Sequence, residues 1–303
     1  MSDSLVVPED WKSLLGGARL GDLCAAVEGG ARVISVRGMN PWALLYTLAR
    51  ILPRLGRTLL LITPTAREAS QAQESLTFFL GLPEQWLGDP LECPLWYFPS
   101  TQGQSPSGPM VSPQVQAQRL STLYAAATSG RPKIIVMSAA AAMEKVLPRR
   151  QCLDATRYFV VGEKVPRDEL VSDLSASGYY RSQLVEEVGD FSVRGDIIDL
   201  FSPLYPQPLR LEFFDETLES IRFFNPSSQR SSLQREDVII LPAHEVILTS
   251  AARELARTHL LTARAEEPQA RPLLDPWLER IRASSHFPGI DQLLPLFYDE
   301  LDS

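Results

Sequence analysis

Short apolar runs separated by amphipathic stretches fill residues 31–147, and this alternation restricts the possible folds more than any other feature of the chain. ARVISVRG (31–38) reads as a buried strand, after which Asn40 stands as an N-cap and Pro41 takes the first helical position of PWALLYTLARIL. TLLLITP (58–64) is another strand. In the TAREASQAQESLTFFLG that follows, Thr65 and Glu68 have capping-box spacing and Gly81 sits where the helix stops. The pattern continues with LWYFPS (95–100), a Gly/Ser/Pro-rich loop through Met110, a helix from Pro113 to about Thr128, the strand KIIVMSA and a helix ending near Leu147. Strands alternating with helices predict an α/β unit with a parallel sheet covered on both faces.

The grammar changes at Pro148–Cys152, PRRQC, which marks a domain boundary. Arg157–Val161, Ser182–Glu187, Phe191–Phe201, Leu209–Phe214 and Glu219–Phe224 all suit strands, with one clear helix near Arg167–Ser177. This is an α+β insert. From Pro242 onward, AARELARTHLLTARAEE and PLLDPWLERIRASS return to helical patterning. The expected organisation is an α/β domain at 1–150, an inserted α+β domain at 151–241 and a helical continuation at 242–303 that packs with the first domain. The stop soon after LLPLFYDELDS points to a piece of something larger.

With 303 residues and 45% hydrophobic content, about two domains can form cores without disulfides or metals. Cys24, Cys93 and Cys152 lie far apart with no C-x-x-C or Cys/His spacing, which suits a reduced, cytoplasmic setting. MSDSLVVPEDWKS lacks the basic and apolar regions of a secretory signal, and no apolar run is long enough to span a bilayer. The formal charge of −8, from 37 acidic and 29 basic residues, opposes the phosphate-neutralising term of non-specific DNA binding. Any work on DNA is expected to pass through another protein.

A strand, a glycine-containing loop and a helix at 31–50 occupy the place of a phosphate loop, but the chemistry fails. Val36-Arg37-Gly38-Met39-Asn40-Pro41-Trp42 has no lysine for the β/γ oxygens and no hydroxyl for magnesium, and Pro41 lacks an N–H. No nucleotide cofactor, metal or catalytic set is expected. His244, His259 and His286 are scattered and read as structural or surface residues, while Glu186-Glu187 and Glu266-Glu267 are adjacent pairs that share no face.

The most distinctive chemistry lies in the insert. In Leu209-Arg210-Leu211-Glu212-Phe213-Phe214, period-two alternation sends the leucines and Phe213 to the core and Arg210, Glu212 and Phe214 to the other face. Asp215-Glu216-Thr217 reverses the chain into a hairpin. Arg194 precedes Gly195, where a missing Cβ permits a bulge that aims the arginine outward. Two readings stand on these residues: a partner-binding face, or an internal pair of Arg194 with Asp196 or Glu212 and a Phe214 packed under an adjoining domain.

GDFSVRGDIIDLFSP (189–203), RLEFFDETLESIRFF (210–224), NPSSQRS (225–231) and LPAHE (241–245) together resemble the UvrB-homology module of the transcription-repair coupling factor (Mfd) family. LLLITPTAREASQAQESLTFFLG, LWYFPS, SPQVQAQRLSTLYAAA, KIIVMSAAAAMEKVLPR and IDQLLPLFYDELDS agree with it in order, so the resemblance covers about residues 30–300. It implies a degenerate P-loop NTPase-like (RecA/helicase-like) parallel-sheet domain with an inserted α+β domain resembling the UvrA-binding domain of UvrB. By matching position it implies Arg194, Arg210 and Phe214 as residues that bind UvrA, with no cofactor. RNA polymerase, double-stranded DNA and the ATP-driven translocase belong in this family to segments beyond this one. Arg210→Ala or Phe214→Ala is then expected to weaken UvrA binding by about 2 kcal/mol while leaving folding intact. The rival is UvrB itself, or a related ATP-dependent helicase. UvrB has a working phosphate loop where this chain has RGMNPW, and a tyrosine-rich DNA-gripping hairpin without counterpart between Trp96 and Pro113. The loop QGQSPSGP departs from both and is assigned no role.

Overall fold

The computed structural model describes residues 25–27, 29–30, 34–101, 111–284, 286–299 and 301. The N-terminal segment judged to lack a secretory signal, and most of the Gly/Ser/Pro-rich loop, lie outside the described residues. Helix α1 (Pro41–Leu55) starts as its sequence dictates: the Asn40 side chain accepts from the Trp42 N–H at 2.9 Å, and Gly56 ends the helix in the left-handed region at φ 61°. Helix α2 (Ala66–Phe79) has both halves of the Thr65/Glu68 capping box. Between and after them run β1 (Leu59–Thr63), β2 (Leu95–Phe98), α3 (Pro113–Thr128) and β3 (Ile134–Ser138).

The three strands form a parallel sheet in the order β1-β3-β2. One face packs Ile134 and Val136 against Leu45, Leu52, Ala69 and Leu76 of the first two helices, and the other sets Phe98 and Ile135 against Ala141 and Val146. The strand expected at 31–38 is not formed at residues 34–37, whose Ile34 and Val36 are exposed. No described strand accepts this run's hydrogen bonds, so its apolar alternation has nothing to pair with. The helix expected to reach Leu147 is a single turn, α4 (Ala139–Ala142). It stops because Glu144 turns inward, where its carboxylate takes hydrogen bonds from the Thr101 N–H and hydroxyl and from Arg119.

Helix α5 (Arg149–Asp154) carries the chain to β4 (Arg157–Val160), which pairs antiparallel with the much later β11 (Asp237–Ile240). Between these strands lie α6 (Arg167–Ala176) and a six-stranded sheet ordered β10-β9-β8-β7-β6-β5. Its strands are β5 (Tyr180–Arg181), β6 (Asp190–Arg194), β7 (Ile197–Leu200), β8 (Leu209–Phe214), β9 (Thr217–Phe224) and β10 (Ser231–Arg235). One face buries Phe191, Leu200, Leu209, Leu211 and Phe223 against Leu170 and Leu174 of α6 and Val238 and Ile240 of β11.

Two expectations fail in this region. The single strand expected over Phe191–Phe201 is a tight hairpin, with Gly195 at φ 55° as the first residue of a two-residue loop. Gly195 therefore makes a turn rather than a bulge. Ser182–Glu187 is not a strand either, because the Asp190 carboxylate accepts the N–H groups of Glu186 and Glu187 and curls the segment. Beyond the insert, α7 (Ser250–Glu266), α8 (Arg271–Arg282) and the short α9 (Leu294–Phe297) build a core that includes Leu120 of α3, Leu147 and Cys152 of α5.

Candidate partner-binding site

The hairpin correction rearranges the site. Arg194 pairs across β6–β7 with Ile197, and Ile197 pairs across β7–β8 with Glu212. Directly paired residues share a face, so Arg194, Ile197 and Glu212 form one row of the surface that faces away from the core. Arg210 and Phe214 flank Glu212 on β8 at two-residue spacing, about 7 Å to either side. Arg194 lies two strands away, about 10 Å across the sheet. The three residues expected to act together do share one face.

Their environments differ. Phe214 precedes the Asp215-Glu216 loop, with Asp215 at φ 57°, and it is 72% exposed. Among the described residues no other part of the chain covers it. Arg194 is exposed, and its Nη2 donates to the Gln183 carbonyl at 2.6 Å. Its expected internal partners are engaged elsewhere: Asp196 pairs with Arg167 at 2.9 Å, and Glu212 accepts from the Ser220 hydroxyl. Arg222, directly opposite Arg210 on β9, stands 4.0 Å from Glu212 and adds a further cation to the face.

Arg210 is held. Its Nε and Nη2 donate to the two oxygens of Asp199 at 2.8 and 2.9 Å, and its guanidinium lies 5.0 Å from the Phe224 ring centroid. Asp199 is 2% exposed and the Arg210 side chain 18%. The hydrogen bonds to Asp199 raise the guanidinium's pKa, so it stays charged. A fork already closed on a buried carboxylate offers a partner mainly its remaining Nη1 edge. Removing it would strand the carboxylate, so Arg210→Ala is expected to cost stability, where the sequence alone suggests an intact fold.

Asp199, Ile197 and Arg222 were missed by sequence reasoning. With 191–201 as one strand, Arg194 and Asp199 fall on opposite faces; the two-residue loop Gly195-Asp196 reverses that parity. The Gly195-Asp196 pair between two apolar runs was the available signal.

The histidines are structural or surface residues as expected, but two of them are not scattered. His259 is on its own at the surface, but His244 and His286 stack with ring centroids 4.6 Å apart. His286 Nε2 donates to the Val246 carbonyl, and His244 Nδ1 accepts the Val246 N–H. His244 Nε2 is 3.3 Å from Asp291 without hydrogen-bond geometry, and Gln116 of α3 donates to that carboxylate at 2.6 Å. Burial holds both imidazoles down at about 4, so they are neutral, and burial raises the Asp291 carboxyl. The cluster joins α3, the end of the insert and the helical segment. Among the described residues no group of His, Cys, Asp and Glu could hold a metal ion, and no helix is long and apolar enough to cross a membrane.

Residues 158–246 match the UvrB interaction domain family. The chain is 34% identical over 301 residues to a transcription-repair-coupling factor of Myxococcus xanthus, an alignment covering 94% of this chain and 23% of that protein. It is 29% identical over 240 residues to the factor of Staphylococcus aureus (strain MRSA252) and over 244 residues to that of Bacillus subtilis (strain 168), covering 79% of this chain and 19% of each relative. The chain thus spans about a fifth of the length of the curated relatives it matches. Residues 158–246 are thus similar to UvrB interaction domains, and most of the chain is similar to a part of the transcription-repair-coupling factors.

Proposed function

We propose that this chain is a non-catalytic docking module that recruits UvrA during transcription-coupled DNA repair, through the outer face of its six-stranded sheet. The observation that carries this reading is Phe214, a large ring exposed on the same face as Arg194 and Arg210 in the domain that matches the UvrB interaction family. Phe214 fills an apolar depression on UvrA. Arg194 donates to a carboxylate there, and Arg210 presents the one edge that Asp199 leaves. In a whole coupling factor, RNA polymerase and double-stranded DNA are bound by other segments, in the cytoplasm.

The α/β body serves this reading as a degenerate P-loop NTPase-like scaffold. At the start of α1 the Asn40 side chain takes the Trp42 N–H and Pro41 has none, so two donors a phosphate would need are removed. The whole 303-residue chain is therefore expected to bind no Mg-ATP by calorimetry.

Titration of UvrA with the parent chain and with Phe214→Ala tests the docking reading. A loss of about 2 kcal/mol or more, near thirtyfold in affinity, is expected with an unchanged melting temperature. Equal affinity of the two chains removes this face from the interface.

A further inference from the structure

Away from the insert, the first two turns of α7 and the last turn of α8 border an open cleft of about 360 Å3 lined by Ser250, Arg253, Glu254, Arg257, Ile281 and Arg282. Three guanidiniums meet one carboxylate there, in a chain whose overall charge is −8. Arg253 and Arg257, four residues apart, share a face of α7, and Arg282 reaches the same space from α8. Arg257 closes its fork on Glu254 through bonds of 3.0 and 2.8 Å, so that pair is self-neutralising. Among the described residues neither Arg253 nor Arg282 has an ion-pair partner. The Arg253 Nε is buried without a hydrogen-bond partner while the residue as a whole is half-buried, so any contact with a ligand in the cleft falls to its terminal Nη groups.

We infer that this cleft is an oxyanion site, taking a phosphate group between Arg253 and Arg282. Guanidiniums match the geometry of phosphate oxygens, and the volume admits a phosphate with some of its hydration. Ser250, at the first position of α7, adds a hydroxyl and an N–H that makes no intrahelical bond. Arg257, fixed by Glu254, forms a wall that limits the site to a small group. The phosphate comes from a free anion or from a nucleic-acid backbone; the chemistry that binds it is the same.

Isothermal titration of the whole chain with inorganic phosphate, in low-chloride buffer, tests this. Saturable binding of millimolar order is expected. Arg253→Gln and Arg282→Gln should each weaken it about tenfold, the worth of one charge-assisted contact, and melt like the parent without phosphate. Arg282 is exposed, so its variant remains informative even if Arg253→Gln folds poorly. Competition by a short DNA duplex, lost in both variants, assigns the phosphate to a nucleic-acid backbone; phosphate binding without competition assigns it to a free anion. Absence of saturable phosphate binding, or binding unchanged in Arg282→Gln, overturns the site.

Discussion

Arg119 in the α/β body and Arg210 on the insert face meet carboxylates in similar ways, and how deeply each is sunk separates their uses. Arg119 is 2% exposed and bridges two acids, the partly buried Glu144 at 2.7 Å and the buried Glu245, while its Nη1 also donates to the Pro99 carbonyl at 2.9 Å. It joins the end of β2, the end of α4 and the chain leaving the insert, with its own charge enclosed. Arg210 has one buried partner and one open edge. Arg194, on the same sheet, has only a carbonyl and is otherwise in water. The gradation runs from strut, through clamp, to free contact, and depth predicts which measurement each substitution should move.

The largest effect should come from Arg119→Met. It leaves Glu144 and Glu245 facing each other without a cation, which should cost about 3–5 kcal/mol in urea unfolding. A smaller loss would mean that the two carboxylates find water, and the contrast between the regions would narrow. Acid should act next, through the junction histidines. Their folded pKa values near 4 lie below the ordinary 6.5, so the unfolded chain binds more protons under acid conditions. Their contribution is complete above about pH 6.5 and is lost as pH falls toward 4, at up to about 3 kcal/mol for each group. Asp291 works in the opposite direction, since its raised pKa favours the folded state at low pH. Replacing His244 by Gln should flatten the acid limb of a melting profile; an unaltered limb would place the titration elsewhere.

Arg210→Ala should follow, at about 2–3 kcal/mol of stability, because Asp199, 2% exposed, loses the guanidinium that takes both its oxygens. Unlike Phe214→Ala, it should move both the melting temperature and UvrA affinity. The double variant Arg210→Ala with Asp199→Asn separates the two effects. Recovery of stability without recovery of affinity would sharpen the distinction between clamp and contact, whereas recovery of both would show that Arg210 only shapes the sheet.

Much of this gradation was invisible in the sequence, for a physical reason. Local signals proved legible: Asn40 and the Thr65/Glu68 box start their helices, and LRLEFF alternates as a half-buried strand should. All are settled within a few residues. Partnership between distant segments was not. The apolar run at 34–37 looks like its neighbours but lacks an adjoining strand, and β11 is fixed by pairing with β4 some eighty residues earlier. The Arg210–Asp199 clamp depends on the reversal at Gly195-Asp196, since a one-residue change of parity sends Asp199 to the other face. Arg194, Arg210 and Phe214 could be placed together by pattern and resemblance, but which of them is free required the register.

Arg194→Ala should show the smallest effect, and it tests the exposed end of the comparison. Its only described hydrogen bond goes from Nη2 to a main-chain carbonyl at the surface, so stability should change by no more than about 0.5 kcal/mol. Any loss of UvrA affinity should be modest, about 1 kcal/mol, because an exposed guanidinium gives up little hydration and gains a partly screened attraction. Ionic strength separates this from a packing effect. If Arg194 meets a carboxylate, the parent should lose more affinity than Arg194→Ala on going from low salt to physiological salt, as the screening length shortens to about 8 Å. Parallel salt dependence in the two chains would mean that Arg194 contributes shape alone, leaving Phe214 and the held Arg210 as the anchors of the face.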